Sequence, residues 1–213
     1  MNFKQLCTDL IKVADLKKAK SMEKALGGRF RFMGLDAETR RTHLQPYLDE
    51  EEPIEPIDWE FVEICWDQLF REFQYIALSY LLYRRDSLEP SDIKHFKTLA
   101  FQNAWWDTGN MLQKLMNYFT ARYPELEDEM VNWAKADDPW LNRCALLHQL
   151  GRGKHTRIDI LEKALKECSR SKDRYVLSAM YRSVEDCEED FPEFVAEMRK
   201  KYPQLAKKKK KAK

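Results

Sequence analysis

Glycine and proline are scarce, 6 and 8 in 213 residues, which removes the turn vocabulary that a sandwich of many short strands requires. Long apolar runs are missing too. Stretches such as Tyr75-Ile76-Ala77-Leu78 and Cys144-Ala145-Leu146-Leu147 stop at four residues, far short of the roughly 20 that span a bilayer. Asp9 and Asp15 interrupt the apolar residues of the first 20 positions, so no secretory core is present there and a cytoplasmic chain is expected. The five cysteines, Cys7, Cys65, Cys144, Cys168 and Cys187, are odd in number and contain no C-x-x-C pair. That excludes a disulfide framework and a zinc site and reads as small core residues. His43, His95 and His155 lack metal-ligand spacing, and neither metal nor cofactor is expected.

A surplus of one charge sign is also absent, with 37 Lys+Arg against 36 Asp+Glu. The balance is uneven along the chain. Six lysines lie in the last seven positions, Lys207 to Lys211 and Lys213, and without them the net charge of +1 becomes −5. Any nucleic-acid site in the body is therefore a local concentration of Arg and Lys. The tail from 201 to 213 is expected to be disordered; it either adds non-specific phosphate attraction or is a solubilising terminus.

What is present is a repeat. Phe70 to Leu82, Ala104 to Met116, Asp138 to Leu150 and Lys172 to Val184 stack at an offset of 34. Ala77, Met111, Ala145 and Ala179 then share one column, Leu78, Leu112, Leu146 and Met180 the next, and Leu82, Met116, Leu150 and Val184 a third. This is the stripe of an amphipathic helix four times over. Between them lie partner helices: Trp59-Val62-Cys65, Ile93-Phe96-Leu99, Leu126-Met130-Trp133 and Ile158-Leu161-Leu165. Pro90-Ser91-Asp92 and Pro124-Glu125 mark helix starts, and Thr156 is a candidate N-cap. The expected fold is an all-α, HEAT-like α-solenoid of antiparallel helix pairs, one domain over residues 1–200. The markers of tetratricopeptide repeats do not recur. Gly27-Gly28 and Gly34 divide the N-terminal region into a short helix, a turn with Phe30-Arg31-Phe32, and a helix entered near Asp36; Asp49 to Pro56 reads as an acidic loop.

The densest chemistry is Asn103-Ala104-Trp105-Trp106-Asp107-Thr108-Gly109-Asn110. Consecutive tryptophans diverge by about 100° on a helix, so only one of them faces the core. Trp106 and Asn110, four apart, share a face with Asp107 beside them. One repeat on, Trp140 falls in the column of Trp106, and Arg143 one row from Asn110. Aromatic, amide and guanidinium groups side by side suit a base or sugar-phosphate, although core tryptophans with a surface arginine fit the same pattern. Arg152, Lys154, His155 and Arg157 form a basic loop that suits a phosphate backbone or plain solvation; Arg40-Arg41 and Arg84-Arg85 are similar pairs. Cys144 and His148 stand four apart, but no orienting carboxylate completes a nucleophile.

The ordered set Lys17-Lys18-Ala19 and Met22, Phe32-Met33-Gly34-Leu35 with Arg40-Arg41, Trp66-Asp67 with Arg71-Glu72-Phe73-Gln74 and Ala77-Leu78, Trp105-Trp106-Asp107-Thr108, and Trp140-Leu141 through Gln149-Leu150 resembles the AlkD family of DNA alkylation repair glycosylases. The resemblance runs from about residue 3 to about residue 188. It implies a stack of helix pairs that grips duplex DNA on a concave basic surface and hydrolyses the N-glycosidic bond of cationic N3- or N7-alkylated purines; a monomer is expected because a solenoid with capped ends usually is one. In that chemistry a carboxylate stabilises the oxocarbenium-like sugar and orients water, while tryptophan faces attract the cation. The family is not expected to flip its base into a pocket.

Carried across by position, Trp106 matches a site tryptophan and Arg143 the arginine that holds backbone phosphate. The catalytic carboxylate of the family is Asn110 here, a second tryptophan aligns with Arg182 or Tyr181, and a DNA-contacting tyrosine with Ala25. Asn110 carries no charge to set against an oxocarbenium ion. The expected catalytic set is Asn110, Trp106 and Arg143, and the expected DNA contacts are Trp105, Asp107, Trp140, Arg182, Arg152 and Lys154, with weak or absent glycosylase activity. A damaged-DNA binder without catalysis and a protein-interaction solenoid are the alternatives.

Overall fold

The computed structural model describes residues 2–49 and 56–206. The lysines from 207 onward, and positions 50–55 of the acidic loop, lie outside the described residues. Helices and their connections make up the rest, and the bridge between Arg31 and Phe70 is the one β pairing among the described residues. No described helix is long and apolar enough to cross a membrane. The chain forms two compact units, residues 1–89 and 90–213.

The first unit holds α1 (Phe3–Lys12), α2 (Leu16–Ala25), α3 (Ala37–Asp49), α4 (Trp59–Trp66) and α5 (Arg71–Tyr83). Short polar side chains open its helices: Asn2 accepts from the Gln5 N–H, Asp15 from those of Lys17 and Lys18, and Asp58 from that of Phe61. Asp36 does the same for α3 through Thr39, which is where the sequence expects that helix to begin. Glu72 is fully buried, and its carboxylate accepts from the Met33, Gly34 and Leu35 N–H groups at 2.8–3.1 Å. A buried anion is tolerable only with such compensation. Gly34 is required in that turn: its φ is 89°, and a Cβ there would collide with the Asp15 carbonyl.

The second unit holds α6 (Ile93–Phe101), α7 (Trp106–Arg122), α8 (Glu127–Ala134), α9 (Pro139–Leu147), α10 (Ile158–Cys168), α11 (Arg174–Asp186) and α12 (Pro192–Lys201). Phe96, Leu115, Met116, Phe119, Trp133, Leu165, Val176 and Met180 are fully buried at its centre, so truncating one of the leucines costs about 2–5 kcal/mol. The fold is thus all-α, a succession of helix pairs of the α-solenoid class, as the recurring apolar stripe demands. Pro90-Ser91-Asp92 and Pro124-Glu125-Leu126 each form a 3₁₀ turn that leads into the next helix. Thr156 is buried and the N-cap of α10 is Arg157, one residue past the expected cap. Tyr202 and Leu205 are buried as well, so the packed chain continues beyond position 200.

Two amides repeat a structural role. Gln74 is the fourth residue of α5 and Asn142 the fourth of α9. Gln74 Nε2 donates to the carbonyls of Cys65, Trp66 and Gln68; Asn142 Nδ2 donates to those of Trp133, Ala134 and Ala136. Each therefore satisfies carbonyls that the end of the preceding helix leaves without an intrahelical donor. In α7 the fourth position is Gly109, and no such clamp is possible.

Candidate functional site

Helices α7, α9 and α11 run parallel with their N-terminal ends together. Arg143 meets Asn110 and, further along, Asn117 Nδ2 donates to the Leu150 carbonyl, both at a separation of 33. At the next boundary Trp140 packs on Tyr175 near the helix starts, and the Gly151 N–H donates to Asp186 near the helix ends. Asp138 and Asp173 cap α9 and α11, each accepting from the second and third residues of its helix. The ring of Trp140 lies 5.5 Å from that of Trp105 and 4.9 Å from that of Tyr175, and Trp105 and Tyr175 are 5.5 Å apart. This three-ring cluster locks the three helix starts to one another.

Above the cluster, Arg143 Nη2 donates to Asn110 Oδ1 at 2.8 Å. Arg143 is 7% exposed, and its Nε is buried without a partner. No carboxylate pairs with it among the described residues. Burial lowers its pKa first, and the nearby Arg182 guanidinium lowers it further; an arginine nonetheless stays charged. Gly109 lies beneath the pair, and a Cβ there would make only ordinary contact, at 4.0 Å, with Arg143 Nε and the Trp140 ring. The outcome is a cation held against a neutral amide, with a second cation, exposed Arg182, close by.

Trp105 and Trp106 do part company. Trp105 closes the α6–α7 turn in extended conformation and joins the ring cluster, whereas Trp106 opens α7 and is 41% exposed. Trp140 pairs with Trp105 and not with Trp106. The helix starts do not keep a constant 34: α5, α7, α9 and α11 begin at Arg71, Trp106, Pro139 and Arg174, steps of 35, 33 and 35. Trp140 thereby shares its helix position with half-buried Asp107, and Arg143 shares its own with Asn110.

The basic loop has a different fate. Arg152 Nη1 donates to Glu127 Oε1 at 2.8 Å, and Nη2 to the Asn117 carbonyl at 2.8 Å and Thr120 Oγ1 at 2.6 Å. Asn117 is seven residues along α7 from Asn110, about 10 Å, so Arg152 braces the far end of the helix and turns away from the site. Lys154 and His155 stay exposed, and Arg157 is tied to Glu127 and Asp159. Burial pushes the Cys144 thiol up to about 12. His148 donates through Nδ1 to the Ala145 carbonyl and is pushed down to about 3, chiefly by burial. A thiol that holds its proton beside an imidazole that refuses one makes no nucleophile. No three His, Cys, Asp or Glu side chains gather as a metal group among the described residues.

The DNA alkylation repair enzyme family model matches residues 6–206. The chain belongs to this family. A solved structure described as a predicted DNA alkylation repair enzyme from Enterococcus faecalis is similar over 93% of this chain and 98% of that one, with a TM-score of 0.82 and 22% identity. At that identity the likeness speaks for the fold. No curated protein sequence matches.

Within the family fold, sequence reasoning missed Tyr175 as the third ring of the cluster. A signal existed: Asp138-Pro139-Trp140 and Asp173-Arg174-Tyr175 both read capping Asp, one residue, aromatic. It also missed Phe101, which is 62% exposed at the end of α6.

Proposed function

We propose that this member of the DNA alkylation repair enzyme family binds duplex DNA through backbone phosphates at the shared N-terminal end of α7, α9 and α11, and hydrolyses alkylpurine N-glycosidic bonds slowly or not at all. One observation carries the reading: Arg143 is paired with the neutral amide of Asn110. A carboxylate at that position would cancel the arginine and leave a negative oxygen for a developing oxocarbenium ion. The amide cancels nothing, and it repels neither an anion nor a water molecule. Two neighbouring guanidinium groups then favour a phosphate over a cationic base. Losing the carboxylate forfeits on the order of 3 kcal/mol of transition-state stabilisation, about 10²-fold in rate.

Two measurements test this. Affinity for a plain duplex, followed by fluorescence anisotropy, falls steeply as salt rises if phosphates are the ligand. Release of 7-methylguanine from alkylated DNA is at background for the wild type and appears in Asn110→Asp. Robust release by the wild type sinks the impaired-enzyme reading. Absence of DNA binding at low salt sinks the DNA reading and leaves a protein-interaction solenoid.

A further inference from the structure

Four residues, 102–105, connect α6 to α7. The turn is fixed at both ends. Leu99 and Ala100 are buried just before it, and Trp105 closes it inside the three-ring cluster. Asn103 takes φ 51°, the one positive value at a non-glycine among the described residues, and asparagine tolerates that conformation better than most side chains. This turn places two aromatic side chains in solvent, Phe101 at 62% and Trp106 at 41% exposure. Leu99, Ala100, Ala104 and Trp105 line the same small pocket as Arg143, so the turn stands directly against the cationic site.

Exposed aromatic rings at the two ends of a turn whose buried side shares a pocket with Arg143 fit a ligand that has both a flat π face and a negative charge. A nucleotide has both. In an intact duplex, however, every base face is covered by its neighbours, and a side-chain ring finds nothing to stack on. An unpaired or bulged base offers a free face.

We propose that Phe101 is a stacking residue which, with Trp106, selects DNA containing an unstacked base over intact duplex. The inference rests on the DNA-binding reading above and adds the class of DNA and a residue outside the expected site. Stacking on a rigid ring requires no conformational ordering of the turn at the moment of binding. It is also indifferent to salt, so the preference and the phosphate contribution separate in one titration series.

The test measures anisotropy of the full chain with a 20-base-pair duplex and with the same duplex carrying a single bulged adenine. The wild type binds the bulged DNA more tightly, and Phe101→Ala lowers that affinity about tenfold while binding the intact duplex as before with the same salt dependence. Phe101→Leu keeps apolar volume without a π face and loses the preference as well, whereas Phe101→Tyr keeps it. Phe101 is mostly in solvent, and circular dichroism confirms that the variants are folded. Equal affinities of Phe101→Ala and wild type for bulged DNA overturn the proposal while the DNA reading stands. Full preference in Phe101→Leu also overturns it, because a greasy contact then suffices. Failure of the wild type to bind either DNA overturns both.

Discussion

Arg143 is buried and Arg152 half-buried, both belong to the second unit, and both bond the same face of α7, at Asn110 and at Asn117. Their surroundings are opposites. Arg152 has a carboxylate, a carbonyl and a hydroxyl within 2.6–2.8 Å. Arg143 has one amide oxygen and a buried Nε with no partner. A guanidinium whose donors are all answered is a brace, and disturbing it affects stability. One left half-answered keeps its field available for a ligand, at the cost of an incompletely compensated buried charge. Equal sequence credentials, two arginines in the same repeat, thus separate into structure and function only through their partners.

The largest expected effect tests the brace. Glu127→Ala strands the Arg152 charge inside the unit and lowers stability by about 4 kcal/mol, read as the urea midpoint, with duplex DNA binding unchanged at a temperature where the variant is folded. A loss within experimental error would mean that Arg152 is no more committed than Arg143. Next comes the site. Asn110→Asp raises 7-methylguanine release by about 10²-fold over the wild type; no gain means that Arg182 and Ala25, the other departures from the family pattern, also block the chemistry.

A third effect belongs to the brace end of the chain, where His148 neighbours Arg152. Its pKa falls on folding from an ordinary 6.5 to about 3, so the unfolded chain takes up the proton first. Stability is therefore complete above pH 6.5 and is lost as pH drops towards 3. Between pH 7 and pH 5 the loss amounts to about 2 kcal/mol, and His148→Gln removes that share of the slope. An unchanged slope would show that His148 is hydrated in solution. Arg143→Gln is the smallest in stability, within about 1 kcal/mol of wild type, because it deletes one bond and one poorly compensated cation together.

Much of this fold was legible in the residues. The apolar stripe, four times repeated, is a local pattern, and burial followed it at Ala77, Ala145 and Ala179. The divergence of Trp105 and Trp106 was legible for the same reason, since it depends only on neighbouring positions. What the pattern did not hold is the exact step between repeats. A constant 34 put Trp140 in register with Trp106, whereas the 33-residue step from α7 to α9 sets it level with Asp107 and brings Arg143 onto Asn110, while its ring packs on Trp105. The fate of Arg152 was equally hidden, because Glu127 and Thr120 reach it from two other helices. Met111, expected in a buried column, is only half-buried, for the register shifts along α7.

The most direct measurement compares the salt dependence of plain-duplex affinity in the wild type and in Arg143→Gln. If the half-answered guanidinium holds a phosphate, the slope of log affinity against log salt becomes shallower by about one in the variant. Identical slopes and affinities would contradict the account and make Arg143 another piece of scaffold.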